Sequence, residues 1–163
     1  MATRPGEFDP TTGGYRGYPP PAGYGAPGGL GRRFWARVID GILVNIAAFL
    51  LALFATGDQD WLTTGLFSGV LTFGYFVLFE VTQGSTPGKR LLGLAVRGPR
   101  GAPKPDVKAS AIRNAFTLMA VIPYVGALLA LLAYIVIAVT ISGSPTAQGK
   151  HDEWAGGTQV VRT

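Results

Sequence analysis

The chain has 163 residues, of which 48% are hydrophobic and only 14% are charged. A soluble domain carries about 25% charged residues, so this composition excludes an ordinary water-facing surface. With no Cys and a single His, at position 151, the chain excludes disulfides and thiol chemistry, and we predict no metal site and no cofactor. The net charge of +5 does not indicate nucleic acid, because the basic residues flank apolar runs instead of covering one face.

Residues 1–31 form a compositional block that contains nine Gly, six Pro and three Tyr. Such a segment has little apolar surface to bury and cannot offset the entropy lost on ordering. We therefore predict a disordered tail over 1–31, with local polyproline II structure, ahead of a domain over 32–163. The tail is either a docking arm, since spaced Tyr and Pro suit a partner groove, or a solubilising leader.

Three apolar regions follow the tail. The first covers residues 34–55 and the second covers 61–82. Each contains about 22 residues and would reach roughly 33 Å as a helix, enough to span a bilayer core. The third covers 109–142 and is broken at Pro123. These regions predict an all-α membrane protein with three transmembrane helices.

The third region has two interpretations. In the first, an interfacial amphipathic helix at 107–121 precedes a single span over 124–142, which leaves the C-terminal tail outside the cell. In the second, the region is a tight hairpin that turns at 123–126, which makes four segments and returns the tail to the cytoplasm. The short halves of such a hairpin favour the single span.

Basic residues define the expected orientation. The N-terminal segment carries five Arg and the 83–108 loop carries six Lys and Arg, whereas the loop between the first two runs carries two Asp and no basic residue. Positive charge stays on the cytoplasmic side of a membrane. We therefore expect a multi-pass protein whose N-terminus and 83–108 loop are cytoplasmic.

Three charged residues lie at the cytoplasmic end of the first predicted helix. Arg33, Arg37 and Asp40 have spacings that place Asp40 on the same side of the helix as the two Arg. A carboxylate inside the membrane raises the free energy of helix insertion by about 2.5–3.5 kcal/mol, so we expect Arg33 or Arg37 to pair with Asp40. The group is either an ion, proton or counter-ion site, or a structural ion pair that determines helix depth and packing.

Small residues recur along the predicted helices and indicate close packing. Small side chains let helix backbones approach where no hydrophobic force acts between them, and an Asn among them can add an interhelical hydrogen bond. The predicted packing residues are Gly41, Asn45, Ala48 and Ala52 on the first helix, with Gly65 and Gly69 on the second.

Two short segments near 93–97 and 158–162 have the composition of β-strands. If they pair, the C-terminal tail must lie on the same side as the 83–108 loop, which favours the hairpin interpretation against the argument from length. Both interpretations stay open at this stage.

No catalytic motif is present in the sequence. The segment from Gly84 to Lys89 has glycines one residue too close for a phosphate loop, and Arg90 stands where that loop has its magnesium-binding hydroxyl. Because a serine elbow, a paired-carboxylate cleft and a dinucleotide fingerprint are also missing, we expect a protein that is not an enzyme.

Three segments, in this order, resemble the RDD family of bacterial membrane proteins. They are Arg33–Gly41, Gln83–Val96 and His151–Val161. The family's naming residues correspond to Arg33, Asp40 and Asp152, and its central loop motif corresponds to Gly84, Pro87, Gly88, Lys89 and Gly93. Glu153-Trp154 departs from the basic or apolar pair that is usual there. The tail is similar to those of actinobacterial proline-rich membrane proteins.

The resemblance implies a location in the bacterial plasma membrane, and transport has been suggested for the family. It also implies that Asp152 lies near the cytoplasmic face if it acts with Arg33 and Asp40. We expect a non-enzymatic accessory or assembly subunit of a larger membrane complex, such as a respiratory or transport complex. Its partners would be the lipid bilayer and other membrane subunits, bound through the small-residue seams and the tail. The alternative is an oligomeric transporter of ions or small solutes that uses Asp40 with Arg33 and Arg37.

Overall fold

The computed structural model of the chain describes residues 8–9, 14–15, 25–56, 61–122, 124–144 and 146–163. Within these ranges the chain is mainly helical, as expected. The elements in chain order are β1 Phe8–Asp9, β2 Gly14–Tyr15, α1 Leu30–Thr56, α2 Trp61–Gln83, α3 Pro87–Leu91, β3 Leu94–Arg97, α4 Val107–Asn114, α5 Gly126–Ser142, α6 Lys150–Trp154 and β4 Gln159–Arg162. Two 3-10 helices cover Pro99–Gly101 and Ala115–Val121. Most of the predicted tail lies outside the described residues, and its disorder stays a prediction.

The long helix α1 has one buried face and one exposed apolar face. Every fourth residue of α1 is buried against the rest of the chain, namely Ala36, Asp40, Val44, Ala48 and Ala52. Large apolar side chains on the other face are exposed, including Ile42, Ile46, Phe49 and Phe54. An apolar stripe on both sides of one helix suits a protein that lies in lipid.

The structure places most of the predicted packing residues at helix contacts. Ala48 and Ala52 are buried. Asn45 of α1 accepts a hydrogen bond of 2.8 Å from Ser68 of α2. A Cβ on Gly69 would lie 2.6 Å from Val121 Cγ2, so the 3-10 helix at Ala115–Val121 packs closely there. Gly41, by contrast, has open space around it, and of Gly65 only its place in α2 is described.

The two predicted strands pair as expected. β3 and β4 are antiparallel, with Leu94 opposite Arg162 and Arg97 opposite Gln159. Their inner side chains form a small apolar core of Leu94, Val96 and Val160 with Ala36 of α1. The preceding chain also packs here, because the Gly28 N–H donates to the Val160 carbonyl at 2.9 Å.

The described chain is continuous from residue 25 to residue 56 and α1 begins at Leu30, so the predicted domain boundary at 31/32 falls inside this helix. Glycine suits position 28, where a Cβ would lie 2.7 Å from Leu94 Cδ2 and 3.2 Å from Val160 Cγ1. The chain can therefore pass directly over the strand core before α1 starts.

The third apolar region forms a hairpin, which is the second of the two interpretations that the sequence left open. α4 and the 3-10 helix at Ala115–Val121 run along α2, and α5 runs back, with the rings of Phe116 and Tyr134 5.0 Å apart. Each half is only about 25 Å long by helix geometry, shorter than a hydrocarbon core of about 30 Å. The β3–β4 pairing and the contacts of α6 hold the tail at the end of the bundle that carries the 83–108 loop.

One helix among the described residues, Leu30–Phe54, is long and apolar enough to cross a membrane, judged by length and composition only. Only 22% of the most apolar 18-residue stretch of this helix is buried inside the protein, whereas the core helix of a soluble protein is mostly buried. The segment Leu128–Ser142 is also apolar but shorter. These findings fit a membrane protein.

Candidate functional site

Charged side chains converge at one end of the helical bundle. We call this cluster the polar rim, and it comprises Arg33, Arg37, Asp40, Glu80, Lys89, Arg113 and Asp152. Six of these residues are buried, and Arg37 is partly buried. The polar rim contains three carboxylates, and each connects several structural elements.

Asp40 of α1 connects three helices through hydrogen bonds. Its Oδ1 accepts from the Tyr75 hydroxyl at 2.7 Å and from the Gly88 N–H at 2.8 Å, and its Oδ2 accepts from the Thr86 hydroxyl at 2.5 Å. Within the described residues, Asp40 forms no ion pair with Arg33 or Arg37, which corrects the expected pairing. The Arg side chains leave the helix toward other acceptors, and neutral donors stabilise the buried carboxylate instead.

The central loop motif has the shape that brings these donors to Asp40. Thr86 caps α3 and Pro87 occupies its first turn, where a missing N–H has no cost. Gly88 faces α1 so closely that a Cβ would lie 2.5 Å from the Ala36 carbonyl oxygen and 2.8 Å from Asp40 Oδ1. Only glycine permits this approach.

The two remaining glycines of the motif, Gly84 and Gly93, have positive φ values of 67° and 62°. They end α2 and α3 respectively, where the chain reverses direction. A left-handed backbone conformation of this kind favours glycine.

Glu80 of α2 is the second buried carboxylate, and sequence reasoning did not single it out. Lys89 Nζ lies 2.5 Å from its Oε1. Its Oε2 accepts from Ser110 Oγ and Asn114 Nδ2, each at 2.9 Å. Glu80 therefore joins α2 to α3 and α4. Its signal in the sequence was a lone carboxylate inside an apolar run, which is costly in a membrane unless it is paired.

Arg37 fills the space between α1 and α4. Its Nη2 donates to Asn114 Oδ1 at 2.9 Å, and its guanidinium lies 3.7 Å from the centre of the Phe76 ring. The Lys89 ammonium lies 5.3 Å from the same ring. Phe76 thus provides an aromatic face for two cations, an arrangement that stabilises buried positive charge.

Asp152 of α6 is the third buried carboxylate, and its contact with Arg33 connects the C-terminal tail to α1. Arg113 Nε lies 3.2 Å from its Oδ1, and Arg33 Nη1 lies 3.8 Å from its Oδ2. The Thr158 hydroxyl donates to Oδ1 at 3.0 Å. Arg33 also donates to the carbonyls of Gly28 and Val160. The structure thus brings Arg33 and Asp152 together, while Asp40 lies in a separate network.

Burial and neighbouring charges shift the pKa values of two residues of α6. Burial alone would raise the pKa of the Asp152 carboxyl, but the Arg113 and Arg33 charges lower it below its usual value. Burial lowers the pKa of His151 to about 3, with Asp152 opposing the change and Arg113 reinforcing it. His151 is therefore neutral and Asp152 ionised at neutral pH.

A cavity of about 330 Å³ lies inside the polar rim. Arg33, Arg37, Lys89 and Arg113 line it together with apolar side chains of α1 and α5, and among the described lining residues there is no carboxylate. The described residues also contain no group of three or more His, Asp or Glu that could hold a metal ion. The arrangement offers positive charge and an apolar wall.

The fold and the polar rim define a mainly helical membrane protein with buried charge at one end of its bundle. A model of the RDD family matches residues 27–156, and the chain therefore belongs to the RDD family. No curated protein and no solved structure matched the chain. The family match includes the segments that carry Arg33, Asp40 and the central loop, and it ends just after Asp152.

Proposed function

We propose that the chain is a non-enzymatic, multi-pass protein of the bacterial plasma membrane that acts as an accessory or assembly subunit of a larger membrane complex. The observation that supports this function is the division between a polar interior, whose carboxylates are satisfied within the chain, and broad apolar faces that nothing in the described chain covers. A protein of this kind can contact lipid and the helices of other membrane proteins through its exposed apolar faces.

The proposed docking surface consists of large apolar side chains and not of the small-residue seams. Ala48, Ala52 and Gly69 already pack within the chain, so they are not accessible to a partner. The outward faces of α1 and α5 remain exposed, including Ile46 and Val136, each more than half exposed. Van der Waals packing between such faces drives helix association in membranes.

Site-specific photocrosslinking in cells tests this function. A photoreactive residue at Ile46 or Val136 should yield a discrete crosslinked protein, and the same residue at Arg90, exposed on α3 outside the helix faces, is the matched control. Gentle solubilisation and quantitative mass spectrometry should then identify the same protein in stoichiometric amount. A chain that purifies as a monomer and crosslinks only to lipid would reject the accessory role.

The proposed orientation places the polar rim in the cytoplasm. Arg33 and Arg37, the basic 83–108 loop and, through β4, the C-terminus lie together at this end of the bundle, and positive charge favours the cytoplasmic side. The chain has no Cys, so introduced thiols are unique. Thr163→Cys should react with an impermeant maleimide only after permeabilisation, and Asp58→Cys in the acidic loop should react in intact cells. The reverse pattern would contradict this orientation.

The transport alternative has less support. Asp40 is fully buried and bonded to three neutral donors, and the cavity in the polar rim carries positive charge, which opposes a cation pathway. Proteoliposomes that contain the wild-type chain or Asp40→Asn discriminate between the functions. Cation flux that is lost in the Asn variant, in a variant that remains folded, would favour transport through Asp40.

A further inference from the structure

The cavity in the polar rim has more positive than negative charge around it. Glu80 neutralises Lys89, and Asp152 is shared by Arg33 and Arg113. Arg37 contacts the amide oxygen of Asn114 and, in the described chain, has no carboxylate partner. The four cations of the polar rim face three carboxylates, Asp40 being held by neutral donors, so about one positive charge is in excess, before any screening, next to an apolar space.

Several buried N–H groups at this cavity have no hydrogen-bond acceptor. Within the described chain, Nη1 of Arg37 and of Arg113 is buried without a hydrogen-bond partner, and Nη1 of Arg33 has only the longer ion-pair contact of 3.8 Å with Asp152. Buried polar groups in folded proteins nearly always have a partner, so the unpaired donors of Arg37 and Arg113, two residues that line one cavity, indicate an acceptor that is supplied from outside the chain. Planar guanidinium groups match the oxygens of a phosphate group especially well.

The walls of the cavity indicate the source of that acceptor. Phe34 of α1 and Leu131 of α5 line the cavity and are also exposed on the outer surface of the bundle. Between them, Ile137 and Ile141 continue the apolar wall. A free inorganic anion would gain nothing from this wall, whereas an acyl chain attached to a phosphate would bury apolar surface along it.

We propose that the cavity binds the phosphate group of an anionic membrane lipid, which accepts hydrogen bonds from Arg33, Arg37 and Arg113 while one acyl chain lies along α1 and α5. Basic pockets between membrane helices on the cytoplasmic side bind lipid headgroups in this way. The proposal depends on a membrane location but not on the accessory role, since the chain would bind the lipid without any partner protein.

Native mass spectrometry of the full-length chain in a neutral detergent tests the proposal. The probes are phosphatidylglycerol, phosphatidylcholine and inorganic phosphate, titrated separately. Phosphatidylglycerol should form a one-to-one adduct, with an apparent Kd about ten-fold lower than that of phosphatidylcholine. Inorganic phosphate should not compete at similar concentration. Equal binding of the two lipids would overturn the headgroup assignment, and effective competition by inorganic phosphate would overturn the lipid assignment.

Matched variants separate this cavity from general surface charge. Arg37→Gln removes a cavity donor of α1, and Arg90→Gln removes an exposed cation of α3 that does not line the cavity. Losing one charge-assisted contact should weaken phosphatidylglycerol binding about ten-fold in the first variant and little in the second. Equal losses in both variants would overturn the proposal.

A second variant tests the apolar part of the site without changing charge. Ala138 lines the cavity, and Ala138→Phe should fill the acyl channel and displace the lipid while every Arg remains. Thermal unfolding in detergent without added lipid establishes that each variant is folded. A folded Ala138→Phe protein that binds phosphatidylglycerol as the wild type does would overturn the acyl assignment.

Discussion

The buried pair of Glu80 and Lys89 allows the role of the polar rim in stability to be tested directly. Both side chains are almost completely buried, and the ammonium contacts Oε1 at 2.5 Å. Lys89→Met keeps a side chain of similar length but removes the charge. Glu80 would then keep its hydrogen bonds from the neutral donors Ser110 and Asn114 but lose the ion pair that the structure gives it.

The expected loss of stability follows because Glu80 would stay charged after its ion-pair partner is removed. Removing one partner of a buried ion pair costs about 3–5 kcal/mol of the free energy of unfolding, because the other charge stays buried. At about 2–4 °C for each kcal/mol in a chain of this size, the unfolding midpoint should fall by roughly 6–20 °C. The double variant Glu80→Gln with Lys89→Met removes both charges, and its Gln oxygen can still accept from Ser110 and Asn114. We therefore expect the double variant to recover most of the loss.

Tryptophan fluorescence during thermal unfolding in detergent measures these midpoints. Lys108→Met is the matched control, because Lys108 is exposed on α4 and its replacement should change stability by less than about 0.5 kcal/mol. The reasoning is refuted if Lys89→Met is as stable as this control, or if the double variant is no more stable than Lys89→Met alone.

Three further predictions concern other residues near the polar rim. Gly88→Ala should cost about 1–3 kcal/mol, since its Cβ meets backbone and a carboxylate, whereas Gly74→Ala, with nothing within 4 Å, should be neutral or stabilising; thermal unfolding compares them. His151 has a pKa of about 3 in the fold and about 6.5 when unfolded, so the unfolded state binds the extra proton. Stability should therefore fall between about pH 6.5 and pH 3, by at most about 1.4 kcal/mol per unit, and His151→Gln should flatten that part of the pH profile. Asp152→Asn should destabilise by about 3–5 kcal/mol, because it leaves buried Arg charge uncompensated. Glu153→Gln, in an exposed pair with Lys150, should cost under about 1 kcal/mol, and equal losses in these two variants would contradict the role of Asp152.

Local sequence patterns predicted the long helices and the strands well. The predicted runs 34–55 and 61–82 correspond to α1 at Leu30–Thr56 and α2 at Trp61–Gln83. The strands expected near 93–97 and 158–162 appear at Leu94–Arg97 and Gln159–Arg162. These elements depend on hydrophobic runs and on residue type, which are properties of neighbouring residues.

The partners of the buried charges could not be predicted from local sequence patterns. Helix spacing placed Arg33 and Arg37 beside Asp40, but the donors to Asp40 come from positions 75, 86 and 88. Glu80 could have been found from its place in an apolar run, but its contacts with Lys89 and α4 depend on how three helices meet. Spacing along one helix suggests a partner for a buried charge. Which partner the charge has in the folded protein depends on all the donors that other helices bring near it.

The sequence by itself determined that this chain is mainly helical, that its helices are too apolar for water, and that its positive charge gathers at the segments flanking them. Those properties follow from composition and local periodicity. Only the tertiary structure decided that the third region is a hairpin, that Asp152 joins Arg33 while Asp40 does not, and that the polar rim encloses a cationic cavity. These outcomes depend on contacts between residues far apart in the chain, where strand pairing and buried ion pairs outweigh the preference of an isolated segment for a spanning length.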